Sequence, residues 1–171
     1  MKICVVGASG LLGEGFQRTS KNVKNEFIFC YAKNKIPNAV HLDITKEDMV
    51  KSFFQIHKPD VLINCSAIAD LEFCEKNKSH AFNVNTLGTF NMMRAAEEHK
   101  ISRIINTGPH FVLAGPSLET YDFNINPDIP SQSGVNIYAM TKSLGNDISK
   151  IFAGNNQFIY VQTLLFYHLY S

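Results

Sequence analysis

The sequence lacks an excess of charge of either sign, and it lacks a long uninterrupted apolar run. Sixteen lysine and arginine residues stand against fifteen aspartate and glutamate residues, which gives a net charge of +1 over 171 residues. So weak a field argues against nucleic acid or an anionic membrane as a partner. The last apolar run, Phe158 to Tyr170, contains Gln162 and His168 and is too short to span a bilayer. We therefore expect a small-molecule partner, no nucleic acid and no membrane.

Cysteine is sparse, and its spacing excludes the common paired motifs. Cys4, Cys30, Cys65 and Cys74 form no Cys-x-x-Cys pair. Three of them lie in apolar, strand-like runs, where a thiol packs as a small hydrophobic group. We expect neither a disulfide framework nor a metal site. This cysteine pattern predicts a reduced protein. Strand-like residues 2–6 stand where a signal peptide would begin, so we expect a cytoplasmic location.

Internal repeats and low-complexity tracts are also missing, and short apolar runs instead alternate with segments of helical period. This alternation is typical of a parallel sheet wrapped by helices. Right-handed crossovers would place the first strand centrally, in the order 3-2-1-4-5-6. With 45% hydrophobic residues, the sequence predicts one α/β domain over residues 1–171. We expect a doubly wound, mostly parallel Rossmann fold with helices on both faces.

The predicted strands are Lys2–Val6, Glu26–Tyr31, Ala39–Asp43, Val61–Asn64, Arg103–Thr107 and Phe158–Leu164. The predicted helices are Leu11–Ser20, Lys46–His57, Phe82–Lys100 and Ile137–Phe152. Thr45 and Asp48 have the spacing of a capping box for the second helix. Residues 109–135 fit neither pattern, and they contain four prolines and two glycines. A loop this long is typically functional or disordered, and it follows the fifth strand at the carboxyl end of the sheet, where ligands bind in such folds.

A glycine-rich turn, Gly7-Ala8-Ser9-Gly10-Leu11-Leu12-Gly13, directly follows the first strand. Gly7 would permit the sharp exit from the strand, Gly10 the close approach of a diphosphate, and Gly13 the tight packing of helix on sheet. The phosphates would lie on the amino terminus of the first helix, where unpaired N–H groups favour an anion. The turn therefore predicts dinucleotide binding, with a glycine turn that binds nothing as the alternative.

The region that would meet the adenosine ribose contains no acidic residue. A dinucleotide-binding fold typically has an acid there, about 20 residues after the turn, but this sequence reads Tyr31-Ala32-Lys33-Asn34-Lys35. The two lysines, Lys33 foremost, could meet a 2′-phosphate, which favours NADP over NAD as the cofactor. The alternative is that both are solvated loop residues.

Tyr138 and Lys142 lie four residues apart and would share one face of a helix. The Lys142 ammonium would then lower the pKa of the Tyr138 phenol, which is about 10 when unperturbed. Tyr138 could protonate a carbonyl oxygen as hydride arrives from nicotinamide, while Lys142 bonds the nicotinamide ribose. Together with the glycine turn, this pair predicts a nicotinamide-dependent reductase. The alternative is an exposed amphipathic helix face.

Over nearly its whole length the chain resembles the extended short-chain dehydrogenase/reductase superfamily, and within it the dTDP-4-dehydrorhamnose reductase-like (RmlD-like) branch. Five features in the correct order carry this resemblance. They are the turn at 7–13, His41-Leu42-Asp43-Ile44-Thr45, the Pro59 to Ala67 segment, Asn83-Val84-Asn85-Thr86-Leu87-Gly88-Thr89, and Tyr138 with Lys142. The resemblance implies an NAD(P) cofactor and a nucleotide-sugar substrate with a 4-keto group.

The resemblance also implies further cofactor-binding positions. Asp43 and Ile44 would lie against the adenine, with the Asp43 carboxylate accepting its amino group; the alternative is an Asp that caps the next helix. Residues Cys65, Ser66 and Ala67 would line the cofactor.

Asn85 would lie on the fourth helix behind the site and hold water or backbone near Lys142. The alternative is a helix Asn bonded only locally.

Two departures from the family pattern bear on activity. An ungapped alignment places Pro109, which has no donor, where the family has a hydroxyl that polarises the substrate carbonyl; Thr107 or His110 could take its place. Losing such a donor typically costs about 10² to 10³ in rate. The family also carries a C-terminal lobe that grips the nucleotide-sugar, and we expect this lobe to be absent here.

Without that lobe, the sixth strand and the tail 165–170 would present an uncovered apolar edge, which predicts self-association. A stripe of Phe82, Phe90, Met93 and Ala96 could also serve a homodimer, with plain core as the alternative. Three hypotheses follow for function: a nucleotide-sugar reductase, epimerase or dehydratase with impaired turnover, a non-catalytic dinucleotide-binding or regulatory protein, and a truncated fragment of such a reductase.

Overall fold

Six parallel strands form one sheet in this computed structural model, which describes residues 1–109, 136–156 and 159–166. The strand order is β3-β2-β1-β4-β5-β6, and every neighbouring pair is parallel. The predicted fold class and strand order are confirmed. The strands are β1 (Lys2–Val6), β2 (Glu26–Tyr31), β3 (Val40–His41), β4 (Val61–Asn64), β5 (Arg103–Pro109) and β6 (Tyr160–Phe166). Residues 110–135, with His110, and 167–171 lie outside the described part of the chain.

Within the described ranges, six α-helices and two short helical turns accompany this sheet. They are α1 (Leu11–Thr19), a 3₁₀ turn (Ser20–Asn22), α2 (Glu47–His57), α3 (Leu71–Lys76), α4 (Lys78–Phe82), a π-helical turn (Asn83–Leu87), α5 (Gly88–Glu98) and α6 (Ile137–Asn155). None of the helices in the described ranges is long and apolar enough to cross a membrane.

The helical layer after β4 begins earlier than predicted and is broken into pieces. The single helix expected over Phe82–Lys100 is preceded by α3 and α4. Helix α3 starts where Asp70 Oδ1 accepts a hydrogen bond from the Phe73 N–H at 2.8 Å, which is an ordinary N-cap. The chain then passes into α5 through the π-helical turn, a local widening that is frequent at functional sites.

The predicted capping box before α2 is wrong. Helix α2 begins after Lys46, whose side chain makes no capping bond. The Thr45 hydroxyl instead donates to Asp43 Oδ1 at 2.7 Å, and the Thr45 N–H donates to the same oxygen at 3.0 Å. Asp43 therefore closes a turn of its own after β3, and Thr45 lies one residue before the N-cap position, which Lys46 occupies.

The sheet buries apolar side chains on both faces. On the face covered by α2, α5 and α6, the main cluster includes Cys4, Leu62, Ile104 and the fully buried Phe54, and a side chain of this kind contributes roughly 1.5–3 kcal/mol when buried. On the other face Phe16 of α1 packs against a smaller cluster from β1, β2 and β4. All four cysteines are free.

The stripe considered as a dimer face belongs largely to the core. Met93 and Ala96 are fully buried in the main cluster, and the Phe90 ring packs edge-on against Phe152 with the ring centroids 5.9 Å apart. Phe82 alone among the four is exposed. The alternative of plain core is therefore correct for Met93 and Ala96.

Candidate functional site

The glycine turn after β1 is built so that two of its glycines are required by the protein itself. Gly7 has φ +76°, and a Cβ there would lie 2.7 Å from the Ser66 nitrogen. A Cβ on Gly13 would lie 2.4 Å from the Ala8 Cα atom. No side chain could be accommodated at either position without moving backbone, so both glycines are explained by the fold alone.

Gly10, unlike Gly7 and Gly13, has room for a side chain. It is exposed and forms the N-cap of α1. A Cβ there would first meet the Gly7 oxygen at 3.4 Å, an ordinary contact. No side chain caps α1. The helix therefore begins with backbone amides that an anion can approach, and the predicted residues Ser9, Leu11 and Leu12 lie at this start. The residues here fit a dinucleotide diphosphate.

Small groups on the β4 side form the opposite wall of this cleft. The Cys65 N–H donates to the Val6 oxygen at 2.9 Å, and the Ser66 N–H donates to Asn64 Oδ1 at 3.1 Å. Burial raises the pKa of the Cys65 thiol to about 12, against the opposing effect of Lys142, so the thiol is neutral. Ala67 is exposed. Contact of these three residues with a cofactor stays a prediction.

The two residues expected beside the adenine have separate roles in the fold. Burial disfavours the Asp43 carboxylate, but the two hydrogen bonds from Thr45 outweigh it and hold the pKa of Asp43 below its ordinary value. The Ile44 side chain is 4% exposed, and a Cβ on Gly88 would lie 2.5 Å from its Cδ1 atom. The Ile44 side chain therefore serves the core. Contact of Asp43 with adenine stays a prediction.

Lys33 lies two residues beyond β2 and is exposed. Its Nζ atom is 3.3 Å from Nε2 of His80, on α4. His80 was not predicted as a site residue, because a histidine in a charged helical segment does not by itself indicate a function. The fold brings it to Lys33 from a position 47 residues away in the chain.

Tyr138 and Lys142 both lie at the start of α6, one turn apart. The Asn136 side chain accepts from the Ala139 N–H at 2.8 Å, and Glu75 Oε1 of α3 accepts from the Ile137 N–H at 2.8 Å. These two bonds fix where the helix begins. Tyr138 is half-buried, whereas Lys142 is buried. The alternative of an exposed helix face is excluded for Lys142.

The Lys142 amine is held below the ends of the central strands. Its Nζ atom donates to the Thr107 backbone oxygen at 2.8 Å. Burial lowers the pKa of Lys142 from 10.5 to about 8, and the neighbouring Cys65 thiol opposes this shift only partly. The amine is therefore half-protonated near pH 8 and mostly protonated at neutral pH.

The expected lowering of the Tyr138 pKa by Lys142 is wrong in this structure. Burial raises the pKa of Tyr138, and the nearby Cys74 thiol adds to the effect. Lys142 donates a hydrogen bond to the Thr107 oxygen, and the effect of burial on the Tyr138 pKa outweighs the attraction assumed from helical spacing. The phenol keeps its proton at neutral pH.

Asn85 lies in the π-helical turn and bonds well beyond its own helix. Its Oδ1 atom accepts from the Ile68 N–H at 2.8 Å, and its Nδ2 atom donates to the Ile68 oxygen at 3.0 Å and to Thr141 Oγ1 at 3.0 Å. It thus fastens the loop after β4 to the residue before Lys142. The alternative of local bonding is wrong. A Cβ on Gly145 would lie 2.7 Å from the Asn85 oxygen, so this glycine permits the close approach of α6.

Thr107 and Pro109 end β5 beside Lys142. The Thr107 hydroxyl donates to the Asn64 oxygen at 3.0 Å, which commits its hydrogen to the backbone. Thr107 therefore contacts the candidate site through its carbonyl oxygen, and its predicted role as a donor to substrate remains a prediction. Pro109 is buried and pairs with Phe166 in β6.

A buried polar ladder beneath α6 was missed from the sequence. Asn64, Asn106 and Thr163 are in register on three adjacent strands. Asn64 Nδ2 donates to Asn106 Oδ1 at 3.2 Å, and the Thr163 hydroxyl donates to Asn146 Oδ1 at 2.9 Å. Together with Lys142 they line a cavity of about 20 Å³, large enough for one water molecule. The recurring Ile-Asn at the ends of two apolar runs was the available signal.

A parallel sheet in the 3-2-1-4-5-6 order, with an uncapped helix start after its central strand, defines a Rossmann-type nucleotide-binding α/β protein. The RmlD substrate binding domain family matches residues 1–167. The chain belongs to this family.

Three characterised relatives are similar to parts of the chain. The spore coat polysaccharide biosynthesis protein SpsK of Bacillus subtilis is 25% identical over 88% of this chain and 48% of its own length. The dTDP-4-dehydrorhamnose reductase of Aggregatibacter actinomycetemcomitans is 36% identical over 43% of this chain and 25% of its own. Methionine adenosyltransferase 2 subunit beta of Danio rerio is 27% identical over 49% of this chain and 26% of its own length.

Solved structures share the architecture. A dTDP-4-dehydrorhamnose reductase from Clostridium acetobutylicum has a TM-score of 0.74 and 28% identity, covering 95% of this chain and 52% of that one. The same enzyme from Bacillus anthracis, in complex with NADP, has a TM-score of 0.72 and 22% identity, and the match covers 95% of this chain and 52% of that one. A UDP-glucose 4-epimerase from Thermus thermophilus, in complex with NAD, has a TM-score of 0.83 and 17% identity, and the match covers 96% of this chain and 54% of that one. The chain spans about half the length of these proteins.

Proposed function

We propose that this chain binds NAD(P) and forms the cofactor-binding part of a reductase that acts on a 4-keto nucleotide-sugar. One observation carries the proposal. The same edge of the sheet has an uncapped helix start after β1 and a buried amine at the end of β5. Only β4 separates these strands, so they are about 10 Å apart. An extended dinucleotide spans such a distance, with its diphosphate at Gly10 and its nicotinamide ribose toward Lys142.

Gly10 supports the cofactor half of this proposal. The protein's own packing leaves room for a Cβ at Gly10 but not at Gly7 or Gly13. Because Gly10 also lies at the uncapped start of α1, we attribute it to a ligand whose phosphate oxygens approach the backbone there. Two solved structures of the same fold, one in complex with NADP and one in complex with NAD, support the same cofactor class.

The residues of α6 support the chemical half. Bound nicotinamide would supply the hydride that reduces a carbonyl carbon. Tyr138 holds a proton at neutral pH, because burial raises the pKa of its phenol, and would deliver it to the carbonyl oxygen. Lys142 is fixed by Thr107 and buried against the cleft. Its amine would hydrogen-bond the nicotinamide ribose and orient it.

The cofactor half is tested by a matched pair of glycine substitutions in α1. Gly10→Ala should leave folding stability nearly unchanged but weaken NADPH binding about tenfold or more, since a Cβ would stand where the diphosphate lies. Gly15→Ala is the control, because a Cβ there meets nothing within 4 Å. Binding is measured by titration of cofactor fluorescence. Equal affinity in both variants and the parent protein would contradict the diphosphate site.

The chemical half is tested by following NADPH oxidation with a 4-keto nucleotide-sugar. Tyr138→Phe should reduce the turnover rate by about 10² to 10⁴, the usual contribution of a general acid, while NADPH affinity changes little. Equal rates in the two proteins would exclude Tyr138 as the proton donor.

A second candidate function is dinucleotide binding without turnover. It is favoured by Pro109, which offers no donor to a developing oxyanion, and by the raised pKa of Tyr138, which makes the phenol a weaker acid. NADPH binding with no turnover by the parent protein would select this candidate over the reductase.

A further inference from the structure

A continuous chain of hydrogen bonds runs through the protein from the end of β4 to α6. The Ser66 N–H and the Ser66 hydroxyl both donate to Asn64 Oδ1. Asn64 Nδ2 donates to Asn106 Oδ1 at 3.2 Å, and Asn106 Nδ2 donates to Ser149 Oγ. The Ser149 hydroxyl donates in turn to the Gly145 oxygen at 2.9 Å. The chain of bonds therefore joins Ser66, on the wall of the cleft, to the middle of α6.

The direction of each bond in this chain is determined by its neighbours. Asn64 Oδ1 receives two donors from Ser66, so the Asn64 amide presents its nitrogen to Asn106. The Ser149 hydroxyl hydrogen is committed to α6, so its oxygen accepts from Asn106. Asn64, Asn106 and Ser149 are all buried, and connected buried hydrogen bonds rigidify the groups that they join. The Asn106 amide is thus held with its oxygen toward β4 and its nitrogen toward α6.

Asn106 also lies beside the residue that holds the Lys142 amine. Lys142 Nζ donates at 2.8 Å to the backbone oxygen of Thr107, the next residue of β5. Ser149 follows Lys142 by seven residues, which is about two helical turns, so both side chains lie on one face of α6. β5 therefore holds this face of α6 at two points, with the amine at one and the Asn106 amide at the other.

We propose that Asn106 is a positioning residue, which holds α6 at the distance from β4 at which the Lys142 amine meets the nicotinamide ribose of a bound dinucleotide. The inference rests on the proposed function, in which Lys142 hydrogen-bonds this ribose. The nicotinamide end of the cofactor would lie between the β4 wall and α6, and the Asn106 amide links these two elements. Asn106 is buried and acts through Lys142, without touching the cofactor. An apolar side chain at this position could fill the space but could bond neither β4 nor α6.

The test is a double-mutant cycle on NADPH affinity, measured by fluorescence, with the affinity for 5′-ADP measured by calorimetry. Ser149→Ala cuts the chain of bonds at α6, and Asn106→Leu removes its central amide. Each should weaken NADPH about tenfold and 5′-ADP by less than about twofold, because 5′-ADP lacks the nicotinamide ribose. In the Lys142→Met background, the same substitutions should change NADPH affinity by less than about twofold, because the group that they position is gone.

Thr89→Val is the matched control. The Thr89 hydroxyl is also buried, and it donates to the Asn85 oxygen at 2.9 Å within its own helical segment. Thr89→Val therefore removes a buried hydrogen bond without touching the chain through Asn106, and it should bind NADPH as the parent protein does. Urea unfolding reports the stability of each variant. If Asn106→Leu does not fold, Ser149→Ala decides the test, because alanine is favourable within a helix.

The outcomes separate this inference from the function on which it rests. Unchanged NADPH affinity in Ser149→Ala and Asn106→Leu overturns the inference. An equal loss for NADPH and 5′-ADP, a loss of the same size in Thr89→Val, or a loss that persists in the Lys142→Met background also overturns it, since each describes a general effect on the fold. In all these outcomes the parent protein still binds NADPH, and the proposed function stands. If the parent protein binds neither NADPH nor NADH, the proposed function and the inference both fail.

Discussion

Lys142 combines a charged group with almost complete burial. It is 9% exposed, and its Nζ atom bonds a backbone oxygen rather than a carboxylate. A buried ammonium without a counter-charge is costly, and the pKa near 8 expresses that cost. This cost supports the role that we propose for the Lys142 amine at the end of β5.

Stability should therefore depend on pH through Lys142. Its folded pKa, about 8, lies below its ordinary value of 10.5, so the unfolded chain binds the proton more tightly. The free energy of unfolding then rises with pH between about 8 and 10.5, and the full cost of the buried charge is present below about 8. Between about pH 7.5 and 9.5 the parent protein should gain about 2 kcal/mol relative to Lys142→Met.

Urea unfolding at a series of pH values measures this difference. The comparison with Lys142→Met cancels the titration of groups whose pKa does not depend on Lys142, including the Tyr138 phenol. Parallel pH dependence of the free energy of unfolding in the two proteins would contradict a lowered pKa of Lys142 in the folded state.

Single residues also show where sequence reasoning works and where it stops. The positive φ of Gly7 and the contact of Gly13 with Ala8 arise within a few residues of chain, so these constraints were predictable; the close approach of Gly7 to Ser66 comes from the fold. The pKa of Tyr138 was not predictable, because it depends on burial and on Cys74, which is distant in sequence. His80 was invisible for the same reason: its partner comes from another element.

At the scale of elements, the contact between α6 and the π-helical turn fixes the position of Lys142. Asn85 bonds Thr141 directly, and the Thr86 hydroxyl donates to the Thr141 oxygen at 3.0 Å. Gly145, one turn beyond, lets the two backbones approach. The amine is thus held by the packing of one helical segment on another, and not by its own rotamer alone.

Gly145→Ala should disturb this packing. Its Cβ would lie 2.7 Å from the Asn85 oxygen, which must move, so we expect a loss of about 1–3 kcal/mol in the free energy of unfolding and weaker NADPH binding. Gly154→Ala in the same helix meets nothing within 4 Å and should stabilise by up to about 1 kcal/mol. Urea unfolding and cofactor titration measure both. A Gly145→Ala variant as stable as Gly154→Ala would contradict the close approach.

The elements themselves were predictable to different degrees. Apolar runs between loops identified all six strands, because a strand buried on both faces reads as continuous hydrophobic sequence. The pieces α3 and α4 were missed, since their charged, exposed faces show little helical period. The predicted capping box failed because α2 begins one residue later than its spacing requires, with Lys46 as the N-cap, and the turn closed by Asp43 and Thr45 cannot be deduced from that spacing.

At the scale of the whole molecule, the two edges of the sheet differ. β3 is two residues long, a common way to blunt an edge. β6 is seven residues long, and no described segment pairs with its outer side. Tyr160, on this strand, is 60% exposed. An edge of this length is a template for pairing with another chain.

We therefore predict that the 171-residue chain self-associates through β6. The mass measured by light scattering should rise with protein concentration, and Tyr160→Lys should shift the chain toward monomer, because a charge on an edge strand opposes strand pairing. Ile56→Lys is the control: it replaces an apolar side chain that is 73% exposed on α2, away from the edge. A monomeric mass at every concentration would contradict the prediction. An equal effect of both substitutions would assign the association to general surface hydrophobicity instead of the strand edge.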